Sequence, residues 1–284
     1  MDYPFFVPDW PIRKKVTEKY PDLKIINEQP TSFWFGSGRK TMKNVDKKVR
    51  RLLQRAEPYL PVLVLYSIPF RDIGQYSKGG ERTFKAYRKF VKKFTEGIGD
   101  YAPIVIYEPD SIPHLSQFHH KDKFQRIDLM SYAVDYITNN SNALLYLDAG
   151  HPNWHKPKII SKHLKSVGVS KCRGFSINIS NYYSTDYCMT YGKRISRLIS
   201  NKPFVIDTSR NGNGGLDEEW CNPPGRRIGE FPTTNTKDKL CDAFLWVKPP
   251  GESDGRKYKG KIAGRFDHIK ALELINNKKN AWPV

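Results

Sequence analysis

Acidic side chains in this 284-residue chain fall at positions suited to acid–base chemistry. Asp72 follows the apolar run Val62–Tyr66, Asp110 follows Ile104–Tyr107, and Asp148 ends Ala143–Leu147. Asn181 follows Phe175–Ile179, and Asp254 lies a short loop beyond Ala243–Val247. Each run reads as a buried strand. In a barrel of parallel strands the C-terminal strand ends share one face, which carries the active site. Carboxylates spread from residue 72 to residue 254 would then converge in one cleft. A lone Asp after a strand is often only a helix N-cap. Several on one face, mixed with Trp and Tyr, favour catalysis. In Glu108-Pro109-Asp110, Pro109 is expected to hold Glu108 extended and to aim a carboxyl from the strand end. Arg71 sets a cation beside Asp72. Opposite charge lowers a carboxyl pKa and a second carboxylate raises it. Glycoside hydrolysis needs that division between a protonated acid and an ionised partner.

The elements that must position these groups alternate. After a strand at Ser32–Phe35, helix Lys43–Ala56 is striped by Val45, Val49, Leu52, Leu53 and Ala56, and Thr83–Ile98 by Phe84, Tyr87, Phe90, Val91 and Phe94. Helices at 122–138, 157–166, 185–199 and 265–276 separate strands near 61–68, 103–107, 143–147, 173–179, 203–207 and 243–247. This pattern predicts βαβ units in one α/β domain closed as a barrel. Residues 1–30, which hold several Pro, read as an extended lead-in. The long stretch Asn211–Asp238 reads as a functional loop.

Composition sets further bounds. The chain is 38% hydrophobic and 13% aromatic, with 16 Tyr and 6 Trp, which suits a cleft that stacks flat ligands. No apolar run reaches the roughly 18 residues of a membrane span, and no signal peptide is visible. The four cysteines, Cys172, Cys188, Cys221 and Cys241, form no CxxC and no zinc spacing, and read mostly as free thiols. The net charge of +19 lies largely on helices, as solvated faces or as a surface for an anionic partner. No recognition motif accompanies it, so nucleic acid is not an expected partner. Asn139-Asn140-Ser141 is a usable glycosylation sequon, whereas Asn178-Ile179-Ser180 falls in a buried strand.

Eight segments, in order, resemble glycoside hydrolase family 6, the inverting β-1,4-glucanases and cellobiohydrolases. They start at Tyr66-Ser-Ile-Pro-Phe-Arg-Asp72, Glu108-Pro-Asp110-Ser-Ile, Tyr146-Leu-Asp148-Ala-Gly-His151 and Asn178-Ile-Ser-Asn181-Tyr182. They continue at Ile206-Asp207-Thr-Ser-Arg210-Asn-Gly-Asn-Gly214, Glu219-Trp-Cys-Asn-Pro223, Thr234-Asn-Thr236 and Trp246-Val-Lys248-Pro-Pro-Gly-Glu252-Ser-Asp254-Gly255. The resemblance implies one catalytic domain, a distorted seven-stranded parallel β/α barrel, with no metal or organic cofactor. It implies Asp110 as general acid, with Asp72 raising its pKa and helping to place the attacking water. Asp254 would be base or charge stabiliser, Asp148 would support the acid, and Tyr66 would press on the sugar at the cleavage point. Trp34, Trp154 and Trp220 would stack sugars, while His151, Asn181, Arg210, Lys248 and Glu252 would bind hydroxyls. Trp246 is divided between stacking and core. Short segments after Asp110 and Asp254 imply an open cleft and endo cleavage. The partner is then a β-1,4-glucan, in an extracellular or membrane-proximal setting, with an anionic glycan or membrane surface for the basic exterior. The chain departs from the family at Ile73 and Arg256, where cysteines are usual, and at Lys78, where a small residue is usual. Those departures imply loss of both family disulfides and motivate a second reading, a glucan-binding domain that hydrolyses little.

Overall fold

A computed structural model describes residues 4–36, 43–74, 78–216 and 219–277. Seven strands form one sheet in chain order, every pair parallel. They are β1 Phe33–Gly36, β2 Val62–Tyr66, β3 Ile104–Tyr107, β4 Leu144–Asp148, β5 Gly174–Ile177, β6 Phe204–Asp207 and β7 Cys241–Leu245. The sheet curls until its edges meet: the Ser32 N–H donates to Trp246 O at 3.3 Å and Trp34 Nε1 to Val247 O at 3.0 Å. The expected barrel is therefore present, distorted because β1 and β7 touch without a ladder.

Period-two alternation sorts the side chains. Val62, Val64, Tyr66, Ile104, Ile106, Tyr146, Val205, Ala243 and Leu245 fill the barrel interior. Leu63, Leu65, Val105, Tyr107, Leu145 and Leu147 point outward into the main core under the helices. Strands buried on both faces are what an all-parallel sheet requires. The alternation also sends Tyr66, Asp148 and Asp207, each the last residue of its strand, to the inner side of the barrel mouth.

The crossovers are α3 Val45–Ala56, α4 Phe84–Ile98, α5 His120–Asn140, α6 Pro157–Val167 and α7 Thr185–Leu198, with α8 His268–Asn276 closing the chain. Each expected helix is present, with ends displaced by a few residues. Thr83 caps α4 by accepting from Ala86 N at 3.1 Å, and Asp267 caps α8 by accepting from Ile269 N at 3.1 Å. The Lys and Arg side chains of α3 are exposed, as are most of those of α4. No helix among the described residues is long and apolar enough to cross a membrane.

Two expectations need correction. Residues 1–30 are not simply extended: they contain α1 Pro11–Lys19, a turn of 3-10 helix and α2 Lys24–Asn27. Pro11 suits a first helical turn because its missing N–H would have no helical partner there. Leu23 and Ile26 then bury against Trp246 and Leu274 in a third cluster, which also settles Trp246 as core. The last strand ends at Leu245, not at residue 247. Beyond it the Val247 and Lys248 N–H groups donate to the Asp207 carboxylate, at 3.3 and 3.0 Å, and leave the ladder.

Candidate active site

At the C-terminal ends of the strands lies a cleft of about 1050 Å³. It runs from the β4 side, where Trp154 and His151 stand, past Asp110, Asp72 and Tyr66, to Trp34, Lys248, Glu252 and Asp254 at the β7–β1 junction. Asn181, Trp220 and Lys78 also line it.

The backbone at these strand ends is unusual. Phe70, Asp72 and Ile73 after β2, Glu108 and Asp110 after β3, and Asn178 and Ser180 after β5 all have positive φ without being glycine. Each costs free energy, and such residues cluster where a fold must hold side chains in set directions. Glu108 corrects the sequence reading: Pro109 does not keep it extended, and its φ is 43°. Its fully buried carboxylate turns back and accepts from the Ser67 N–H at 3.0 and 2.9 Å, tying the end of β3 to the loop that carries Asp72. The Arg126 guanidinium on α5 donates to Pro69 O at 2.7 Å and holds the same loop from outside.

That loop returns on itself, with the Arg71 N–H donating to Gly79 O at 3.2 Å and Glu81 N–H to Ser67 O at 2.7 Å. Gly80 is required for this close approach: its φ is 89°, and a Cβ there would sit 1.8 Å from Ile68 O. Arg71 lies over the Tyr66 ring at 4.2 Å, and Trp34 meets the same ring edge-on at 5.2 Å.

Asp110 and Asp148 form the acidic centre. Asp148 is fully buried, and its Oδ2 accepts from the Asp110 backbone N–H at 2.7 Å. Burial, then the charges of Asp148 and Asp72, push the Asp110 carboxyl well above the usual range. Burial also raises Asp148, but the backbone N–H groups of Asp110 and Gly150 and the Ser176 hydroxyl favour its ionised form. Within the pair, the bonds donated to Asp148 favour the proton on Asp110.

Asp254 is the opposite case. Burial alone would raise it, yet Arg210 and Lys248 outweigh that and hold it below the usual range. The Arg210 guanidinium pairs with Oδ2 at 2.7 Å and Lys248 Nζ with Oδ1 at 3.4 Å. Tyr182 Oη and the Asn222 N–H also donate to Oδ2, at 2.8 and 3.1 Å. The cleft thus carries a carboxyl poised to give a proton and a carboxylate fixed as an anion.

Most of the expected site residues line this cleft; Asp148 and Arg210 do not. Asp148 sits behind Asp110. Arg210 is 3% exposed, lies over Tyr182 at 4.3 Å and is occupied by Asp254, so it is not placed to meet sugar hydroxyls. On the opposite wall His151 stacks on Tyr183 at 4.7 Å and lies 5.3 Å from Trp154. Burial, then His155, lower its pKa to about 4, so it faces the cleft neutral. Gly150, at φ 71°, lets Trp154 close in: a Cβ there would meet Trp154 at 3.0 Å.

Among the described residues of the loop after β6, Arg226 Nη1 donates to Asn213 O at 3.1 Å and Asn213 Nδ2 to Gly225 O at 2.9 Å. The loop delivers Trp220 to the cleft and Asn222 to Asp254. All four cysteines are free and buried. Asn178, of the discounted sequon, is buried and donates to Asp207 O at 2.9 Å, whereas Asn139 is exposed at the end of α5.

Sequence reasoning missed several cleft residues, His114 and Trp10 among them. His114 meets Trp154 edge-on at 4.9 Å and is held neutral by burial, then by Arg126 and His155. Trp10 reaches the far end of the cleft from the N-terminal segment. Nothing in the spacing marks His114. Trp10 was hidden by the reading of residues 1–30 as a lead-in.

Comparison with known proteins finds relatives over most of the chain. Residues 11–279 match the profile of "Glycosyl hydrolases family 6". Endoglucanase 1 of Streptomyces sp. (strain KSM-9) is 38% identical over 254 residues, covering 88% of this chain and 70% of that protein. Endoglucanase A of Cellulomonas fimi is 41% identical over 219 residues, covering 77% of this chain but only 47% of its own length. The structure of the endoglucanase Cel6 from Mycobacterium tuberculosis, in complex with methyl-cellobiosyl-4-deoxy-4-thio-β-D-cellobioside, superposes with a TM-score of 0.91 at 37% identity, covering 97% of both chains.

Proposed function

This chain belongs to glycoside hydrolase family 6, and on that premise we propose that it hydrolyses β-1,4-glucosidic bonds in cellulose or a related β-glucan, with inversion and within the chain. The observation that carries the reading is the contrast between Asp110, held protonated by burial and by Asp148 and Asp72, and Asp254, held ionised by Arg210 and Lys248. Asp110 gives its proton to the glycosidic oxygen as the bond from that oxygen to the anomeric carbon breaks. A water oriented by Asp72 attacks the anomeric carbon from the opposite face of the sugar, and its proton passes through a water relay to the Asp72 carboxylate, while the Asp254 carboxylate stabilises the positive charge that develops on the sugar ring. Tyr66, braced by Trp34 and Arg71, presses on the reacting sugar. Trp34, Trp154 and Trp220 stack flanking units, and neutral His151, Asn181, Lys248 and Glu252 meet hydroxyls. Arg210 serves through Asp254.

Cutting within the chain is supported by how little polypeptide overhangs the cleft. From Asp110 the chain reaches α5 by residue 120, and from Asp254 it reaches α8 by residue 268. The deciding experiment follows viscosity and reducing-sugar release together on carboxymethylcellulose and barley β-glucan, for wild type and Asp110→Asn. A fast viscosity drop in wild type alone is expected. Binding without release would favour the second reading, a glucan-binding domain, for which Lys78 in the cleft is the observation.

The basic exterior supports an anionic setting. Lys47, Lys48, Arg51 and Arg55 of α3 and Lys85, Arg88, Lys89 and Lys92 of α4 are exposed, and among the described residues none is in an ion pair. An acidic matrix polysaccharide is the partner this face fits, in an extracellular location. Salt-sensitive retention on polygalacturonate would bear this out, and equal retention on neutral glucan would dispose of it.

A further inference from the structure

The cleft does not stop at Trp34. Its far end is made by a residue from outside the barrel: Trp10, just before α1, lines the cleft beside Ser32, Trp34 and Glu252. Trp10 is held by its neighbours. Its ring lies 5.0 Å from Phe33, and the Arg13 guanidinium stands 5.4 Å from it and 5.3 Å from Phe266. The same guanidinium donates to Glu252 Oε1 at 3.0 Å, with Arg13 5% exposed. One buried cation therefore fixes both an aromatic ring and a carboxylate at the cleft wall. Gly264, Ala263 and the exposed Ile262 also line the cleft.

A held aromatic face with a fixed carboxylate beside it is the chemistry that binds a pyranose: the ring covers the sugar's C–H face, and the carboxylate accepts from its hydroxyls. The geometry points to an additional glucose-binding subsite at Trp10, completed by Glu252 and positioned by Arg13, beyond the subsite of Trp34. It binds the outermost unit of a β-1,4-glucan chain and makes the enzyme prefer chains long enough to span from Trp154 to Trp10. This inference rests on the glucan reading of the cleft. It adds that the N-terminal segment is part of substrate recognition.

The test measures affinity for cellotetraose and cellohexaose by calorimetry in the non-hydrolysing Asp110→Asn background, with and without Trp10→Ala. Trp10→Leu is run beside it, since it keeps apolar volume against Phe33 and Arg13 but has no aromatic face. The background chain should bind cellohexaose at least tenfold more tightly than cellotetraose, and both Trp10 variants should lose most of that difference. A length preference unchanged in the variants, or an equal weakening of both ligands, would overturn the subsite. Hydrolysis by the parent chain is read separately. If it cuts neither substrate while the length preference depends on Trp10, the hydrolase reading fails and the subsite stands.

Discussion

The Asp148 carboxylate holds the Asp110 backbone: Oδ2 accepts the Asp110 N–H at 2.7 Å, from the end of the neighbouring strand. The bond fixes where the Asp110 side chain begins, and the charge that makes it also opposes ionisation of Asp110. Position and proton affinity thus come from one group, and a variant that keeps the shape and removes the charge separates them.

Asp148→Asn does this. Its amide oxygen can still accept from Asp110, but the negative charge is gone. Burial, the largest cause, still raises the Asp110 carboxyl, so it stays above the usual range but below wild type. Activity needs Asp110 protonated and is lost as pH rises through its pKa. The basic limb of kcat/KM against pH should therefore move to lower pH, with the acid limb little changed. Asp110→Asn should instead lower kcat by about 10²–10⁴-fold at every pH. An unmoved basic limb in Asp148→Asn would remove Asp148 from the tuning of the acid.

Arg210→Met tests the other carboxylate. It leaves Asp254, 6% exposed, with Lys248 as its remaining cation. Breaking a buried pair from one side costs about 3–5 kcal/mol. Asp254 has a depressed folded pKa, so its contribution to stability is present above the unfolded value near 4 and is lost as pH falls through the folded value. In Arg210→Met the folded value rises toward the unfolded one, so less stability is lost as pH falls, and the deficit from wild type should be widest at pH 7 and narrower at pH 3. Chemical denaturation between pH 3 and 7 reads this, and the acid limb of kcat/KM should rise with it.

Much of this site was legible in the sequence, because apolar runs that end in Asp or Asn report strand ends directly and parallel strands bring those ends together. What the sequence hid has physical causes. Arg210 looks like a sugar ligand until Asp254, 44 positions away in sequence, is found to occupy it. Asp207 ends its strand as Asp148 does, yet it is fully buried, and both its oxygens accept backbone N–H groups after β5, β6 and β7. Glu108 escaped because the extended preference before a proline is worth less than burying a carboxylate that Ser67 satisfies. The N-terminal helices escaped because prolines at first turns read as breaks.

Gly80→Ala should damage catalysis more than binding. The added Cβ would fall within 1.8 Å of Ile68 O at a φ of 89°, so the strap from Gly79 to Glu81 must lift away from the loop that carries Asp72. The Trp34 and Trp154 surfaces lie on other strand ends and stay in place. A fall in kcat of tenfold or more with KM changed less than threefold is expected from steady-state kinetics on cellohexaose. A rise in KM with kcat unchanged would show that the strap serves binding.

Glu108 makes stability fall toward neutral pH. Burial, the largest cause, raises its carboxyl from 4.5 to about 7, against the opposing bonds from the Ser67 and Ile68 N–H groups. Because the folded pKa lies above the unfolded one, the protonated folded state is favoured at low pH. From about pH 4.5 the unfolded chain releases this proton while the folded chain keeps it, so stability is lost until pH reaches the folded pKa near 7. Across that window each step of one in pH removes about 1.4 kcal/mol, so the loss from this one group is on the order of 3 kcal/mol. Glu108→Gln does not titrate, and its amide oxygen can still accept from Ser67. The variant should be less stable than wild type at pH 4.5, because its NH₂ meets backbone donors. The gap should narrow by that amount at pH 7.5. Urea midpoints at the two pH values measure it, and a constant gap would mean that Glu108 ionises as freely in the fold as in the open chain.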